Sequence, residues 1–532
     1  MNIFDEVNLF NNTNKALKQC FLFFFFVAVC GYISVMVSSC PYNDDYPRYM
    51  ANIHVGTIAA ARHMTFLLEL LMYLSNVVTD AAPFTQIISC ALLAYCAVLC
   101  LKIFNIDIKD RMGIKDRWAI VCFIPIIINP YILEVMLYRF DNIFMTIPLL
   151  FAIFSAYLSV FNNKRWLFAQ TALLVIGLLM YQAAISAYFT IFVYLFLKEI
   201  MTGAKLAAVI SKMRYWFLTL LLTACFYIPF ALSLTYCVQN GESVLIIPKN
   251  FESIRIIVHN IARYFSIFYT DWALSAIGQI FLAIITVFFI GTVSKTVENT
   301  KSIVAASFSA IVVFFLFLCP IGLCLLVRVI CFEGNESILP RILYTIGILI
   351  SLILHDTYLL FKCTKYSEIF YKFLLSSIVV WNIVFSNSVG NIIRCLREVQ
   401  QHVFYDISKD IFEITNENKK ITRVCVIGSV RTQAMANFFK LYPIMERIIP
   451  EKWSVPSYSQ IVMMNSEFAN MFWKHIPVCE RYIESEYQSK KLLKKHMLYD
   501  LFILDNRLLL ISLKEEAKFE DPLRPFVRIR NE

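Results

Sequence analysis

Directly after an apolar run at 21–37 comes Tyr42-Asn-Asp-Asp-Tyr-Pro-Arg48, which sets two adjacent carboxylates, Asp44 and Asp45, beside a guanidinium. Two like charges side by side resist ionising together, so one of them can exchange a proton while an arginine neutralises the other. A second cluster follows in Asn129-Pro-Tyr-Ile-Leu-Glu134-Val-Met-Leu-Tyr138-Arg139-Phe-Asp141. Glu134, Tyr138 and Asp141 stand four and three residues apart, so a helix would bring them to one face, with Arg139 one step round. Between the clusters, Asn52, His54, Arg62, His63 and Glu69 lie among apolar residues, the pattern of amphipathic helices resting on a surface. The chemistry these types support is acid–base work beside an anion. Asp44, Asp45, Glu134 or Asp141 would take a proton from an attacking hydroxyl, and Arg48, Arg62 and Arg139 would stabilise a departing phosphate.

Plainer readings exist for each. The first cluster also suits a solvated loop with an Asx turn before Pro47. The second suits an interfacial helix end whose local ion pair contributes under ~1 kcal/mol when exposed. His54 and His63 fit packed, hydrogen-bonded histidines, and the acidic and histidine spacing matches no tight metal-ligand motif, so no metal is expected. Arg255, His259 and Arg263, at four-residue intervals, suit lipid headgroups or a lipid phosphate.

Lipid must be the solvent for most of the elements that position these groups. Hydrophobic residues make up 59% of the 532 and charged ones 16%, with a mean hydropathy of +0.66, far from a soluble domain. Apolar windows recur near 20–38, 84–101, 118–133, 143–160, 166–181, 183–197, 215–236, 273–293, 303–326, 342–361 and 370–387, predicting about 11 transmembrane helices at ~20 residues each. The pair around Tyr181-Gln182 could instead be one kinked helix. The first run lacks a small-residue cleavage site and reads as an uncleaved signal anchor. Lys and Arg concentrate in one set of loops, among them Lys109, Arg111, Lys115, Arg117, Lys198, Lys205, Lys212, Lys362 and Lys365, and are sparser in the other, which holds Arg48, Arg62, Arg139, Arg255, Arg263 and Arg341. The first set is therefore cytoplasmic and both acidic clusters face outward. The net charge of +10 follows largely from this bias and needs no nucleic-acid partner.

The expected fold is a polytopic α-helical membrane protein, with residues 1–390 as the transmembrane domain, 39–83 as its first outer loop, and 391–532 as a small extracytoplasmic α/β domain rich in β-formers at 421–430 and 498–513. Val426-Ile-Gly-Ser429 is better read as a strand end than as a phosphate loop. Most cysteines sit in apolar runs and pack as small apolar residues, while Cys40, Cys237, Cys331, Cys395, Cys425 and Cys479 would face the oxidising side. No nucleotide-binding signature and no D-x-D triplet occurs on the cytoplasmic side, which disfavours a nucleotide-sugar donor.

One N-terminal helix, an outer loop opening on Asn43-Asp-Asp-Tyr-Pro-Arg48, many further helices and a soluble tail together resemble the GT-C class of membrane glycosyltransferases. Tyr42 to Arg48 together with Asn129-Pro-Tyr-x-x-Glu134-x-x-x-Tyr138-Arg139-Phe-Asp141 is similar to the Gtr type-two family of serotype-converting O-antigen glucosyltransferases. The resemblance rests on motifs in roughly the first 200 residues and on architecture beyond. It implies glucose transfer from undecaprenyl-phosphate glucose to a sugar of the lipopolysaccharide O-antigen at the periplasmic face of the bacterial inner membrane, without a cofactor. It also implies a flippase and a glucosyl-carrier synthase as functional partners, Asp44 or Asp45 in the acidic catalytic motif, and Arg139 with Asp141 in the second. The competing readings are a polyprenyl-phosphate-sugar transferase acting on another glycan or a protein, an O-antigen polymerase or ligase, and a lipid or polysaccharide transporter, which would carry mid-membrane charges and inverted repeats.

Overall fold

Wherever a chain meets lipid its backbone must be satisfied internally, and a helix does this within one segment. The computed structural model is accordingly mostly helical over the residues it describes, which are 15–42, 45, 62–74, 79–106, 109–110, 113–114, 116–235, 251–273, 276–322, 339–362, 364–417, 423–427, 433–449, 491–496, 499–505 and 508–513. They fall into two compact units, one of Met1–Val37 with Ile53–Ser388 and one of Ser38–Asn52 with Val389–Glu532.

The first unit contains α1 (Lys15–Ser38), α2 (His63–Tyr73), α3 (Phe84–Ile103), α4 (Arg117–Val121), α5 (Pro130–Leu137), α6 (Asn142–Val160) and α7 (Leu167–Met180). It continues with α8 (Ile185–Met201), α9 (Leu206–Lys212), α10 (Arg214–Thr235), α11 (Phe251–Ala273), α12 (Ala276–Thr300), α13 (Ile303–Leu318), α14 (Ile346–Phe361) and the first part of α15 (Lys365–Glu417). Among the described residues six helices are long and apolar enough to cross a membrane, making up to eight spans if each bent pair is one. Length and composition thus support six to eight of the eleven expected spans. Three of the others, α7, α13 and α14, have only 14, 16 and 16 residues.

Two breaks matter for the site. The apolar window at 118–133 bends by 55° between its halves, because Asn129 caps α5, its Oδ1 accepting from Tyr131 N (2.9 Å) and Ile132 N (3.1 Å), with Pro130 in the first turn. A Cβ on Gly347 would collide with the Pro125 carbonyl oxygen, so α14 approaches this break closely only because that position carries no side chain. The second break is Tyr181, extended at φ −153°, ψ 108° between α7 and α8; the region is two helices, not one.

Small polar side chains tie α3 to the turn between α5 and α6. Thr85 Oγ1 donates to the Arg139 carbonyl (3.1 Å), Gln86 Nε2 to the Met136 carbonyl (2.9 Å) and Ser89 Oγ to Asn142 Oδ1 (2.7 Å), the kind of bond that holds helices together where apolar burial gives no advantage over lipid. At the far ends of α8 and α14, Asp356 accepts from Lys198 Nζ (2.7 Å) and Tyr194 OH (2.8 Å). Lys362 Nζ meets Asp116 Oδ2 at 2.8 Å.

In the second unit, Val403, Ile407, Ile411 and Ile414 form one stripe on α15 and pack on Tyr499, Leu501, Leu509, Ile511 and Leu513. The sheet they cover has strands β1 (Arg423–Ile427), β2 (Lys491–Lys495), β3 (Tyr499–Asp505) and β4 (Leu508–Leu513) in the order β1-β4-β3-β2, with β1 parallel to β4 and the other pairs antiparallel. Two further helices are present, α16 (Gln433–Leu441) and α17 (Met445–Ile448). Asp410, beyond the apolar part of α15, accepts from Lys494 Nζ (2.7 Å) and Tyr499 OH (2.8 Å) and lies 2.6 Å from His496 Nε2. Burial pushes this carboxyl up, but the bonds from Lys494 and Tyr499 and the neighbouring positive charges outweigh it and hold the group below its usual range.

Candidate active site

One end of the first unit's bundle collects buried charge on α2, α5 and the turn after α5, beside the half-buried Arg341 of the 3-10 turn Pro340–Leu343 that leads into α14. Such a concentration is costly near lipid unless the groups are paired or used. Glu134 is fully buried, and both its oxygens engage Arg341: Oε1 accepts from Nη1 at 2.7 Å and Oε2 from the backbone N at 2.6 Å. Arg341 Nη1 also donates to Tyr138 OH, and the guanidinium lies over the Tyr138 ring.

The four-and-three spacing expected to align Glu134, Tyr138 and Asp141 on one helix does not survive. Helix α5 ends at Leu137 and Tyr138 is extended. Glu134 and Tyr138 still meet, because both reach Arg341. Arg139 turns elsewhere, with Nε and Nη2 each 2.7 Å from Asp80 Oδ2. Asp141 is 5% exposed at the start of α6, where its carbonyl accepts from Met145 N.

Arg62 precedes α2 and rests its guanidinium carbon 5.0 Å from the centre of the Tyr181 ring. The Tyr181 hydroxyl donates to the Arg341 carbonyl at 3.3 Å. The structure therefore links Arg62, Glu134 and Tyr138 through Tyr181 and Arg341, and pairs Arg139 with Asp80. Nearby, Tyr131 OH donates to Asp271 Oδ2 (2.7 Å) and accepts from Trp272 Nε1 (3.1 Å).

Asp44, Arg48 and His54 lie outside the described residues, as do Cys237, Cys331 and Cys479. Asp45 is described and belongs to the second unit, where its Oδ2 accepts from Tyr42 N (3.0 Å) and its own N–H donates to the Tyr42 carbonyl (2.9 Å). Cys395 is a free thiol, and Cys40 Sγ donates to the Ser38 carbonyl at 3.0 Å. Among the described residues no group of three or more His, Cys, Asp or Glu side chains could hold a metal ion.

Arg341, Tyr181 and Asp80 were not among the expected site residues. Arg341 and Tyr181 were legible only as an outer-loop cation and a helix break. Glu134 and Arg341 are 207 residues apart, and nothing in their local spacing announces the pair.

No curated relative and no solved structure matches the chain. The family model for glucosyl transferase GtrII matches residues 33–352, from within α1 into α14, and so takes in Arg62, Asp80, Glu134, Arg139, Tyr181 and Arg341. With more than half its length under that match and several helices apolar enough to span a bilayer, this chain is a membrane protein that belongs to the GtrII glucosyl transferase family.

Proposed function

We propose that the protein transfers glucose from undecaprenyl-phosphate glucose to a sugar of the lipopolysaccharide O-antigen at the periplasmic face of the inner membrane, converting serotype, with a flippase and a glucosyl-carrier synthase supplying the donor. The observation that carries this reading is the gathering of Arg62, Arg139 and Arg341 at helix termini at one end of the bundle, Arg139 and Arg341 held in place by Asp80 and Glu134, a setting suited to a phosphate that a lipid tail holds at membrane level. In the transfer, an acceptor hydroxyl oxygen forms a bond to the anomeric carbon as that carbon's bond to the phosphate oxygen breaks. The hydroxyl proton passes to the carboxylate of Asp44 or Asp45, and the carrier phosphate leaves as an anion stabilised by arginine.

The test is mass spectrometry and linkage analysis of lipopolysaccharide from a smooth host that has the carrier synthase and flippase, with and without this chain. An added hexose per repeat unit is expected, lost in Asp44→Asn or Asp45→Asn while the protein still accumulates in the membrane. Full activity in both single variants and the double removes the carboxylate role. An unchanged polymer removes the O-antigen acceptor.

A further inference from the structure

We propose that Glu134 and Arg341 are a positioning pair which, through Tyr181, sets Arg62 as the direct ligand of the donor's phosphate. This rests on the lipid-phosphate donor proposed above and assigns Glu134 a different task from proton transfer.

The argument starts at Glu134. By accepting from both the guanidinium and the backbone N–H of Arg341, its carboxylate fixes the main chain of that residue as well as its side chain. A fixed peptide fixes the direction of the Arg341 carbonyl, and that carbonyl receives the Tyr181 hydroxyl. Tyr181 is 4% exposed and meets the Tyr344 ring edge-on at 5.7 Å, so its own ring plane is set from two sides. Arg62 lies over that ring. A cation–π contact of this kind uses up no hydrogen-bond donor, so it leaves the guanidinium N–H groups for an oxyanion. The Arg62 Nε is buried and has no hydrogen-bond partner among the described residues. A buried charged donor left so is costly, and a phosphate oxygen relieves that cost with a charge-assisted bond. Arg139, by contrast, already directs two nitrogens to Asp80.

The chain of contacts joins four separate stretches: α5, the turn before α14, the break between α7 and α8, and the residue preceding α2. A staple that merely held α5 to the Pro340–Leu343 turn would need Glu134 and Arg341 alone. The ring of Tyr181 under Arg62 is what such a staple leaves unexplained.

The experiment measures binding of undecaprenyl phosphate, and of undecaprenol as the uncharged control, to the full-length protein in lipid nanodiscs. Donor KM and kcat are then read in the transfer assay. The wild type is expected to prefer the phosphate. Arg62→Ala and Tyr181→Leu should each weaken phosphate binding by about tenfold, the loss of one charge-assisted interaction, leaving undecaprenol binding unchanged. Tyr181→Phe, which keeps the ring, should fall between these and the wild type. Glu134→Gln should raise donor KM with kcat nearly unchanged. A collapse of kcat in Glu134→Gln with phosphate binding intact would overturn the proposal and return Glu134 to proton transfer. Undiminished phosphate binding in Arg62→Ala or Tyr181→Leu would overturn it as well, and Tyr181→Leu decides the matter if Glu134→Gln does not accumulate. A wild type that binds phosphate and alcohol alike refutes instead the donor reading on which the proposal stands.

Discussion

Arg139 and Asp80 form an enclosed pair at the site end, their side chains 8% and 16% exposed. Removing one member of such a pair leaves a buried charge without its counterion, which costs ~3–5 kcal/mol in comparable cases. Arg139→Ala and Asp80→Ala should therefore each lower the melting temperature of the detergent-solubilised protein markedly. The double variant should lose less than the two single losses combined, because neither charge is then stranded. Strict additivity in that cycle would mean the pair contributes no coupling. Position 347 offers a second measurement of the same kind. A methyl group there would press on the Pro125 carbonyl and the Asn129 amide, so Gly347→Ala should destabilise by about 1–3 kcal/mol, read from the same melts.

Among the elements, α15 carries the clearest prediction. Its apolar stripe covers the sheet, and Asp410 fastens it to the β2–β3 hairpin through Lys494, His496 and Tyr499. Because the folded carboxyl is held below its ordinary range, this contribution is fully present above the unfolded-state pKa and is lost as pH falls through the folded one. Melting of the second unit, followed by the fluorescence of a probe placed on β3, should thus move to lower temperature under acid. Asp410→Asn should flatten that acid response while lowering stability at neutral pH. An unchanged acid response in the variant would assign the pH dependence to other carboxylates.

For the whole molecule, orientation is the property that the loop charges predict and that an accessibility measurement can check. The excess of Lys and Arg in alternate loops predicts that the chain beyond residue 390 lies outside the cytoplasm. Cys395 is a free and exposed thiol on α15. A membrane-impermeant maleimide should label it in intact spheroplasts of a strain carrying the other cysteines as serine. Labelling only after permeabilisation would invert the topology.

What the sequence alone determined follows from forces that act over short stretches. Apolar windows require helices in lipid, and the β-formers at 421–430 and 498–513 supply the strands β1, β3 and β4. The family resemblance was likewise carried by two short motifs, and the match over residues 33–352 bears it out. What only tertiary structure decided is which charge meets which. Tyr138 leaves the helix that local spacing would have continued, because Asn142 takes its carbonyl (2.6 Å) and α3 binds the turn that follows. Arg139 finds Asp80 and Glu134 finds Arg341 across long stretches of chain. Ion pairing carries no signature in local periodicity; burial in a low-dielectric bundle selects partners by proximity in space, and that proximity exists only once the helices have packed.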